Sequence, residues 1–265
     1  MHDSKAPAAT ATLAILRFMS RKQRPVNAGM IIEELGLPRS TVYQLLQILV
    51  REGFLVRLEE HHRYALSLAA FEVGAAFSYQ QPLARLGKYS LDRLVQKTRL
   101  SAHLCVLHGN DVLYVVEARD PSQAPLVTDV GVRLPSHLTA SGRAILARLP
   151  PRQVRALYPD RASFNTRHGT GPNGPAALNR MLDRVRTLGF GFVDDDVTVG
   201  MSSVASVITD PGGHPIASIA LTFATTEVDK PGDASPEVGL ERRRRLARAT
   251  GECAHDIQQR LLGKR

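Results

Sequence analysis

The sequence contains no tryptophan and only two cysteines, Cys105 and Cys253, among its 265 residues. The cysteines lie far apart and lack the CxxC or CxxH spacing of a zinc site, so neither a metal site nor a disulfide scaffold is expected. We expect two buried, inert thiols in a reducing cytoplasm. No apolar run approaches the roughly 20 residues of a membrane span, and the N-terminus lacks the apolar segment of a signal peptide. The composition therefore favours a cytoplasmic globular protein without a membrane partner.

Positive charges exceed negative charges by nine, which suits a polyanionic partner such as nucleic acid. Through Leu66 there are nine Lys and Arg against six Asp and Glu, a net charge of +3. From Leu240 onward there are eight against three, a net charge of +5, dominated by four consecutive arginines from Arg242 to Arg245. Such a run is more often the solvated face of a C-terminal helix than a second DNA or membrane contact. Net charge alone therefore supports nucleic-acid binding only weakly.

Residues 37–51 (LPRSTVYQLLQILVR) are the most informative stretch of the chain. Apolar residues recur at the spacing of one helical face, and short polar residues recur on the opposite face, with an arginine near each end. Amides and hydroxyls can bond base edges, and arginines can bond phosphates or guanine. Taken alone, this pattern fits a DNA-reading helix and an ordinary surface helix equally well. The inner face is Val42, Leu45, Leu46 and Leu49, and the outer face is Ser40, Tyr43, Gln44 and Gln47, with Arg39 and Arg51 at the ends.

The surrounding residues favour DNA. Helices are predicted at 11–19 and 26–35, and Gly36 supplies a tight turn before the next helix. A helix, a glycine turn and a second helix form a helix-turn-helix. Residues 54–58 and 63–66 read as two strands joined by a polar tip, which makes a wing. We therefore predict a winged helix-turn-helix domain over residues 8–67, in which Arg57 and Arg63 of the wing also contact the DNA backbone or minor groove.

The chain from residue 67 to 98 is helical in pattern and is interrupted by Pro82, so 68–82 is predicted as a linker helix. Residues 83–265 then form a second domain. A hairpin is predicted over 102–118, strands at 190–193, 203–209 and 216–223, and helices at 139–149, 152–157, 176–188 and 236–262. Hairpin strands with helices gathered around them predict an α+β fold with a largely antiparallel sheet. Such a sheet can wall a small-molecule pocket.

A polar loop runs into a helix at residues 131–146. Free N–H groups and the dipole at a helix start attract carboxylates, and His137 can add a donor, so this segment can bind the anion of a small acid. The alternative is a helix that Thr139 or Ser141 caps, with a structural histidine. The residues alone favour the second interpretation.

Enzymatic and metal-binding interpretations of the same region are weaker. Ser141, His137 and one of the aspartates 194–196 can be written as a hydrolase triad, but no G-x-S-x-G elbow surrounds the serine. The three aspartates have no EF-hand spacing. Solvated loop acids, or a helix start after Val193, are the favoured interpretation of these aspartates. We expect no catalytic residues, no metal and no cofactor.

Both halves together resemble the IclR family of bacterial transcriptional regulators. The resemblance spans residues 10–262 and rests on four matching stretches. Paired with a helix-turn-helix at this distance, the His-x-Thr-Ala-x-Gly segment makes the match specific. The stretches are ELGLPRSTVY at 34–43, GFL at 53–55 followed by YAL at 64–66, LPSHLTASGRA at 134–144, and Gly189-Phe190 with Asp194, Asp195 and Gly200.

The resemblance implies a winged helix, a linker helix and a GAF-like effector domain. It also implies dimers or tetramers, and effectors that are small organic acids or aromatic catabolites. Many members have Arg-Cys where this chain has Ser202 and Ser203, and a Ser-x-Ser where it has residues 220–222. An acidic residue often stands at the position of Val193. These losses of polar groups predict a less polar ligand, an aromatic or branched acid. The effector residues carried over are Leu134, His137, Thr139, Ala140, Asp194, Ser203, Ala220 and Thr222.

The prediction is a cytoplasmic, ligand-responsive transcription factor that binds double-stranded DNA, at a pseudo-palindromic operator, as a homodimer or tetramer. A small acid shifts the relative placement of the two DNA-reading heads. One alternative is a hydrolase-like enzyme on the C-terminal domain, with the winged helix as an interaction module. A second alternative is a DNA-compacting protein, which the presence of a pocket domain disfavours. The predicted DNA contacts are Arg39, Ser40, Thr41, Tyr43, Gln44, Gln47, Arg51, Arg57 and Arg63.

Overall fold

The computed structural model describes residues 6–22, 24–80, 82–123, 128–166, 168–225 and 236–263. The chain divides into two compact units, Met1–Gln81 and Pro82–Arg265. The helix that the sequence predicts as a linker belongs to the first unit, and the linker bounds 68–82 stay a prediction. Within the described ranges, no helix is both long enough and apolar enough to cross a bilayer.

The first unit is a helix-turn-helix followed by a two-stranded wing and a further helix. The apolar stripe predicted for the third helix is buried as expected, and it packs against the first two helices around Ile15, Phe18 and Ile31. Gly36 adopts a φ of 62°, the left-handed turn that the sequence predicts between the helices. The elements are α1 (Pro7–Ser20), β1 (Val26–Asn27), α2 (Ala28–Leu35), α3 (Arg39–Arg51), β2 (Leu55–Leu58), β3 (Arg63–Leu66) and α4 (Leu68–Gln80).

The helix predicted over 26–35 begins later than expected. Val26 and Asn27 are extended and pair with Tyr64 and Arg63, so they form a third strand, β1, beside β3. The Asn27 side chain then accepts a hydrogen bond from the Met30 N–H at 2.9 Å and starts α2 at Ala28. Asparagine is a strong helix N-cap, and this signal marks the true boundary.

The second unit is an antiparallel six-stranded sheet with helices on both faces. The strand order is β6-β5-β4-β9-β8-β7, and the predicted hairpin and the three later strands are all present. Residues 133–135, predicted as loop, pair with β5 as an added edge strand. The elements are α5 (Pro82–Thr98), β4 (Ser101–His108), β5 (Asp111–Ala118), β6 (Arg133–Pro135), α6 (Ala140–Arg148), α7 (Pro151–Leu157), α8 (Pro175–Leu188), β7 (Gly191–Asp194), β8 (Met201–Thr209), β9 (Pro215–Ala224) and α9 (Pro236–Leu261).

Alternate residues along the central strands face opposite sides of this sheet. Leu104, Val204 and Leu221 lie in the main apolar core with residues of α5 and α9. The next residues along β8 and β9, Ala205 and Ala220, instead contact α6. The helix α6 is itself covered by α8. The two faces are therefore unequal: one is packed with large apolar side chains, and the other carries smaller and more polar ones.

Candidate functional site

The outer face of α3 is open to solvent in the first unit. Ser40, Tyr43, Gln44 and Gln47 are exposed, whereas Thr41 is only partly exposed. Arg39 lies 5.7 Å from the centre of the Tyr43 ring, a cation–π contact at the start of the helix. The helix thus presents a row of hydroxyl and amide groups of the size that a major groove admits.

The arginines around this face make only weak, exposed contacts. Arg51 pairs with Glu52 at 2.9 Å, and Arg57 of the wing pairs with Glu59 at 3.5 Å. Arg63 is exposed on β3. Exposed ion pairs contribute about 0–1 kcal/mol, so exchanging such a carboxylate for a phosphate costs little.

A small cavity lies in the second unit between the sheet and the start of α6. Its volume is about 30 Å³. Because a water needs roughly 10–15 Å³ of such space, the cavity has room for about two water molecules. Its walls are His103, Tyr114, Thr128, Thr139, Ala140, Ser141, Val193, Val197, Thr198, Met201, Ser203, Ala220 and Thr222.

The polar side chains of the cavity wall are hydroxyls and one imidazole. The Ser203 and Thr222 hydroxyls share a hydrogen bond of 2.9 Å across β8 and β9. His103 Nε2 lies 3.0 Å from Thr128 Oγ1. Among the described lining residues there is no Lys, Arg, Asp or Glu. An anion in this cavity must therefore be held by hydroxyls, by an imidazole and by backbone N–H groups.

The first turn of α6 supplies the backbone donors. Thr139 caps the helix by accepting a hydrogen bond from the Gly142 N–H at 3.0 Å, as one of the two sequence interpretations has it. The Ser141 hydroxyl is 1% exposed and has no well-formed hydrogen bond among the described residues. It lies near the Cys105 thiol, whose pKa burial raises to about 12, with Ser141 opposing that rise. The Ser141 hydroxyl thus has no nitrogen or oxygen partner in the cavity wall, and it lies beside a helix N-terminus, where negative charge is favoured.

Three of the predicted effector residues do not line this cavity. His137 is buried elsewhere: Nε2 lies 3.0 Å from the Asn165 carbonyl oxygen, and Nδ1 lies 3.3 Å from the Tyr158 hydroxyl. Burial holds the pKa of His137 below its usual range. Leu134 packs into a separate cluster with Val112. The remaining predicted residues, Thr139, Ala140, Ser203, Ala220 and Thr222, do line the cavity.

Asp194, the third residue outside the cavity, ends β7. It accepts a hydrogen bond from the Ser202 hydroxyl at 2.7 Å and pairs with Arg243 of α9 at 3.0 Å. Arg243 is thus partly buried, so the four-arginine run is not a uniformly solvated face. Arg244 and Arg245 are the exposed members.

The other two aspartates are also committed to protein partners, which corrects the expectation of solvated acids or a helix start. Asp195 accepts from the Gly200 N–H at 2.6 Å and closes the turn before β8. Asp196 is 6% exposed and forms a buried ion pair with Arg143. Carboxylates at the end of a strand can accept hydrogen bonds from backbone and side-chain donors in a tight turn. The periodicity of the sequence did not predict this role.

No hydrolase triad is assembled among these residues. The two ring nitrogens of His137 face Asn165 and Tyr158, and Ser141 has no hydrogen bond to a histidine among the described residues. A nucleophile must lie within hydrogen-bond reach of its base.

Several cavity residues were missed by the sequence prediction. His103 lies on β4 next to the core residue Leu104, so the period of two places it on the opposite face once the core face is known. Tyr114 lies two residues before the core residue Val116 on β5. It faces the cavity because the pairing of β4 with β5 shifts register between Leu104 and Cys105, which periodicity does not reveal. Ser141 lies in the segment considered for anion binding but was not among the predicted effector residues. Thr128, Val197, Thr198 and Met201 lie in or beside loops, where periodicity carries no signal.

The comparisons with known proteins agree with both units. Residues 8–59 match the IclR helix-turn-helix domain, and residues 76–255 match the C-terminal domain of bacterial transcriptional regulator IclR. The chain is 27% identical over 248 residues to the glycerol operon regulatory protein of Streptomyces coelicolor, covering 94% of this chain and 93% of that protein. It is 28% identical over 210 residues to the Pca regulon regulatory protein of Pseudomonas putida, covering 78% and 70%.

The fold also matches a crystal structure of an IclR homologue from Microbacterium hydrocarbonoxydans in complex with 4-hydroxybenzoate. The TM-score is 0.79 at 20% sequence identity, and the match covers 97% of this chain and 100% of that one. The predicted α+β fold class is confirmed. Both curated relatives, from Streptomyces coelicolor and Pseudomonas putida, are named as regulatory proteins. Two matching domain families, in the predicted order and over most of the chain, identify it as a DNA-binding member of the IclR family of bacterial transcriptional regulators.

Proposed function

We propose that this regulator senses a small monocarboxylic acid, aromatic or branched, in the cavity between the sheet and α6. The observation that carries the proposal is the buried Ser141 hydroxyl, which lies in the cavity wall and makes no hydrogen bond to a nitrogen or oxygen atom of the described residues. The carboxylate would lie against the first turn of α6, where N–H groups lack intrahelical acceptors. The opposite wall, with Val193, Met201 and Ala220, suits an apolar ring or branch.

Two further observations support this ligand class. The absence of Lys and Arg from the described cavity wall disfavours dianions and very small, strongly hydrated acids. The relative from Microbacterium hydrocarbonoxydans was crystallised with 4-hydroxybenzoate, a monocarboxylate with a ring and one hydroxyl. In our proposal His103, Tyr114 and Ser141 join the predicted residues Thr139, Ala140, Ser203, Ala220 and Thr222 as effector contacts.

For DNA we propose that α3 enters the major groove of a pseudo-palindromic operator in the cytoplasm. Ser40, Tyr43, Gln44 and Gln47 contact bases, and Arg39, Thr41, Arg51, Arg57 and Arg63 contact the backbone. We propose a homodimer or tetramer, because an operator with two half-sites requires two DNA-binding domains. The first half of α4 exposes large apolar side chains suited to contact a second copy: Leu68, Phe71 and Val73 are 66%, 70% and 62% exposed.

The test is fluorescence anisotropy with the DNA upstream of the protein's own gene and with random DNA of equal length. The titration is run at about 0.15 M salt, alone and with 4-hydroxybenzoate, benzoate or glyoxylate. We expect the protein to bind the upstream DNA more tightly than random DNA. We also expect benzoate and 4-hydroxybenzoate to change this affinity more than glyoxylate does. Equal affinity for both DNAs under all conditions overturns the operator proposal. A glyoxylate effect larger than that of benzoate overturns the ligand class.

A further inference from the structure

The strand β8 has an edge that its neighbour covers only in part. It pairs with β9 along its whole length, from Met201 to Thr209, but β7 reaches only from Ser202 to Ala205. The pair after Ala205 and Gly191 would be Ser206 with Phe190, and the next hydrogen-bonded pair would join Val207 to Gly189. Gly189 instead donates its N–H to the Val185 carbonyl oxygen at 2.8 Å and ends α8. The edge of the sheet is therefore open from Val207 onward.

The direction of the Val207 backbone groups follows from two hydrogen bonds. The Met201 carbonyl accepts from Asp195, on the β7 side, whereas the Gly200 carbonyl accepts from Thr225, on the β9 side. Because backbone groups alternate along a strand, Val207 directs both its N–H and its C=O toward the β7 side. The pairing with β7 ends at Ala205, and no turn or loop hydrogen bond among the described residues reaches the Val207 N–H or C=O. An unpaired donor and acceptor of this kind form a template for another strand.

A groove runs along this open edge. Val207, Phe190 and Gly189 line two adjoining hollows, of about 370 and 610 Å³. Helices α6 and α8 bound the groove on one side, and α9 bounds it on the other. These hollows lie apart from the effector cavity and share no lining residue with it.

Arginines surround the groove. Arg148 and Arg186 lie on one side, and Arg244 and Arg248 on the other. Arg186 pairs with Asp183 at 2.7 Å, and Arg248 pairs loosely with Glu241 at 3.4 Å. Arg148 and Arg244 have no acidic partner within 4 Å among the described residues. The groove therefore combines an unpaired strand edge with an excess of positive charge.

We propose that the open edge of β8 binds an extended acidic peptide segment of a partner protein by strand addition. The backbone of Val207 supplies a donor and an acceptor, and the arginines select acidic side chains. A second copy of this chain is disfavoured, because pairing two β8 edges would bring two sets of arginines together. Nucleic acid fits less well, because a phosphate only accepts hydrogen bonds and would leave the Val207 carbonyl unpaired.

The probe is a synthetic eight-residue peptide of alternating valine and glutamate, capped at both ends. Its binding to the full chain is measured by calorimetry at about 0.15 M salt. Two control peptides replace glutamate by lysine, or carry N-methyl groups on alternate amides. The expected result is binding of the acidic peptide alone, with new hydrogen-exchange protection at the Val207 amide. Absence of acidic-peptide binding overturns the proposal. The arginines would then serve to prevent unwanted strand pairing at this edge.

Two variants separate strand addition from simple charge attraction. Val207→Pro removes a donor that faces away from β9, so the ladder with β9 is retained, yet peptide affinity should fall at least about tenfold. Arg244→Glu should weaken binding similarly, whereas Arg85→Glu, at an exposed position of α5, should not. Thermal unfolding verifies that each variant is folded. Unchanged affinity of Val207→Pro, or displacement of the peptide by random duplex DNA, overturns strand addition in favour of a polyanion surface.

Discussion

Arg143 of α6 reaches Asp196, in the loop after β7, and the two side chains form an ion pair that is almost completely buried. Arg143 also donates to the His137 carbonyl at 2.9 Å and to the Phe192 carbonyl at 2.8 Å. One side chain therefore ties together the segment before α6, the strand β7 and the loop that carries Val197 and Thr198 into the cavity wall. Residues distant in sequence fix the shape of the cavity through this contact.

Arg143→Met should destabilise the second unit by about 3–5 kcal/mol, because it leaves the Asp196 carboxylate buried without its partner. Denaturant unfolding measures the loss. The matched control is Arg248→Met, whose exposed pair with Glu241 should contribute less than about 1 kcal/mol. Equal stability of the two variants would show that Asp196 finds water or another donor when Arg143 is removed.

Gly142→Ala should disrupt the start of α6. A Cβ at position 142 would lie 2.1 Å from the Ser136 carbonyl oxygen, which is backbone and has little freedom to move. We expect a loss of at least about 1–3 kcal/mol in unfolding free energy. Gly251→Ala, within α9, meets only Ser206 Oγ at 3.7 Å and should be neutral or stabilising. A Gly142→Ala protein as stable as the parent would contradict this close approach.

Ser141→Ala should lower effector affinity without lowering stability. The Ser141 hydroxyl is buried without a nitrogen or oxygen partner, so its removal should leave the unfolding free energy unchanged or raise it by up to about 1 kcal/mol. Affinity for 4-hydroxybenzoate should fall about tenfold. Ser101→Ala is the control: Ser101 Oγ is equally buried and unpaired, but Ser101 does not line the cavity. Equal affinities in calorimetry for the two variants would remove Ser141 from the site.

Gln44→Ala should weaken operator binding by about 1–3 kcal/mol if its amide bonds a base edge, and should leave binding to random DNA unchanged. Gln96→Ala, an exposed glutamine of α5 in the other unit, is the control. Anisotropy with both DNAs distinguishes the roles. A parallel loss on operator and random DNA would assign Gln44 to backbone contact.

Acid should destabilise the second unit through Glu117. Contacts with His103, 3.8 Å away, and with Arg119 lower the pKa of Glu117 from 4.5 to about 2. A carboxyl whose pKa is lower in the folded state stabilises the fold above its unfolded pKa. That contribution is lost as the pH falls from about 4.5 to about 2. Glu117→Gln should flatten this part of the stability–pH curve. An unchanged curve, measured by urea unfolding at several pH values, would contradict the assignment.

Periodicity predicted most elements of both units, because the spacing of apolar residues along helices and strands can be recognised in a single sequence. It extended α2 over Val26 and Asn27, since only pairing with β3 shows that these residues are a strand. It missed β6 at Arg133–Pro135 for the same reason. Five carried-over residues line the cavity, whereas His137 does not, because its surroundings come from Tyr158 and Asn165, which no local pattern connects to it.

The effector cavity proposed here has room for only about two water molecules, which limits what it can bind without a change of shape. An engineered cavity that binds benzene measures roughly 150 Å³, several times the 30 Å³ found here. The aromatic acid that we propose as the effector would therefore have to push the walls apart. One wall is α6, and the opposite wall is the sheet. The other face of the sheet packs against α9, where the hydroxyls of Ser206 and Thr250 share a hydrogen bond of 2.7 Å. If such an acid is the effector, its entry would expand the second unit, and whatever lies behind α6 or α9 would have to move.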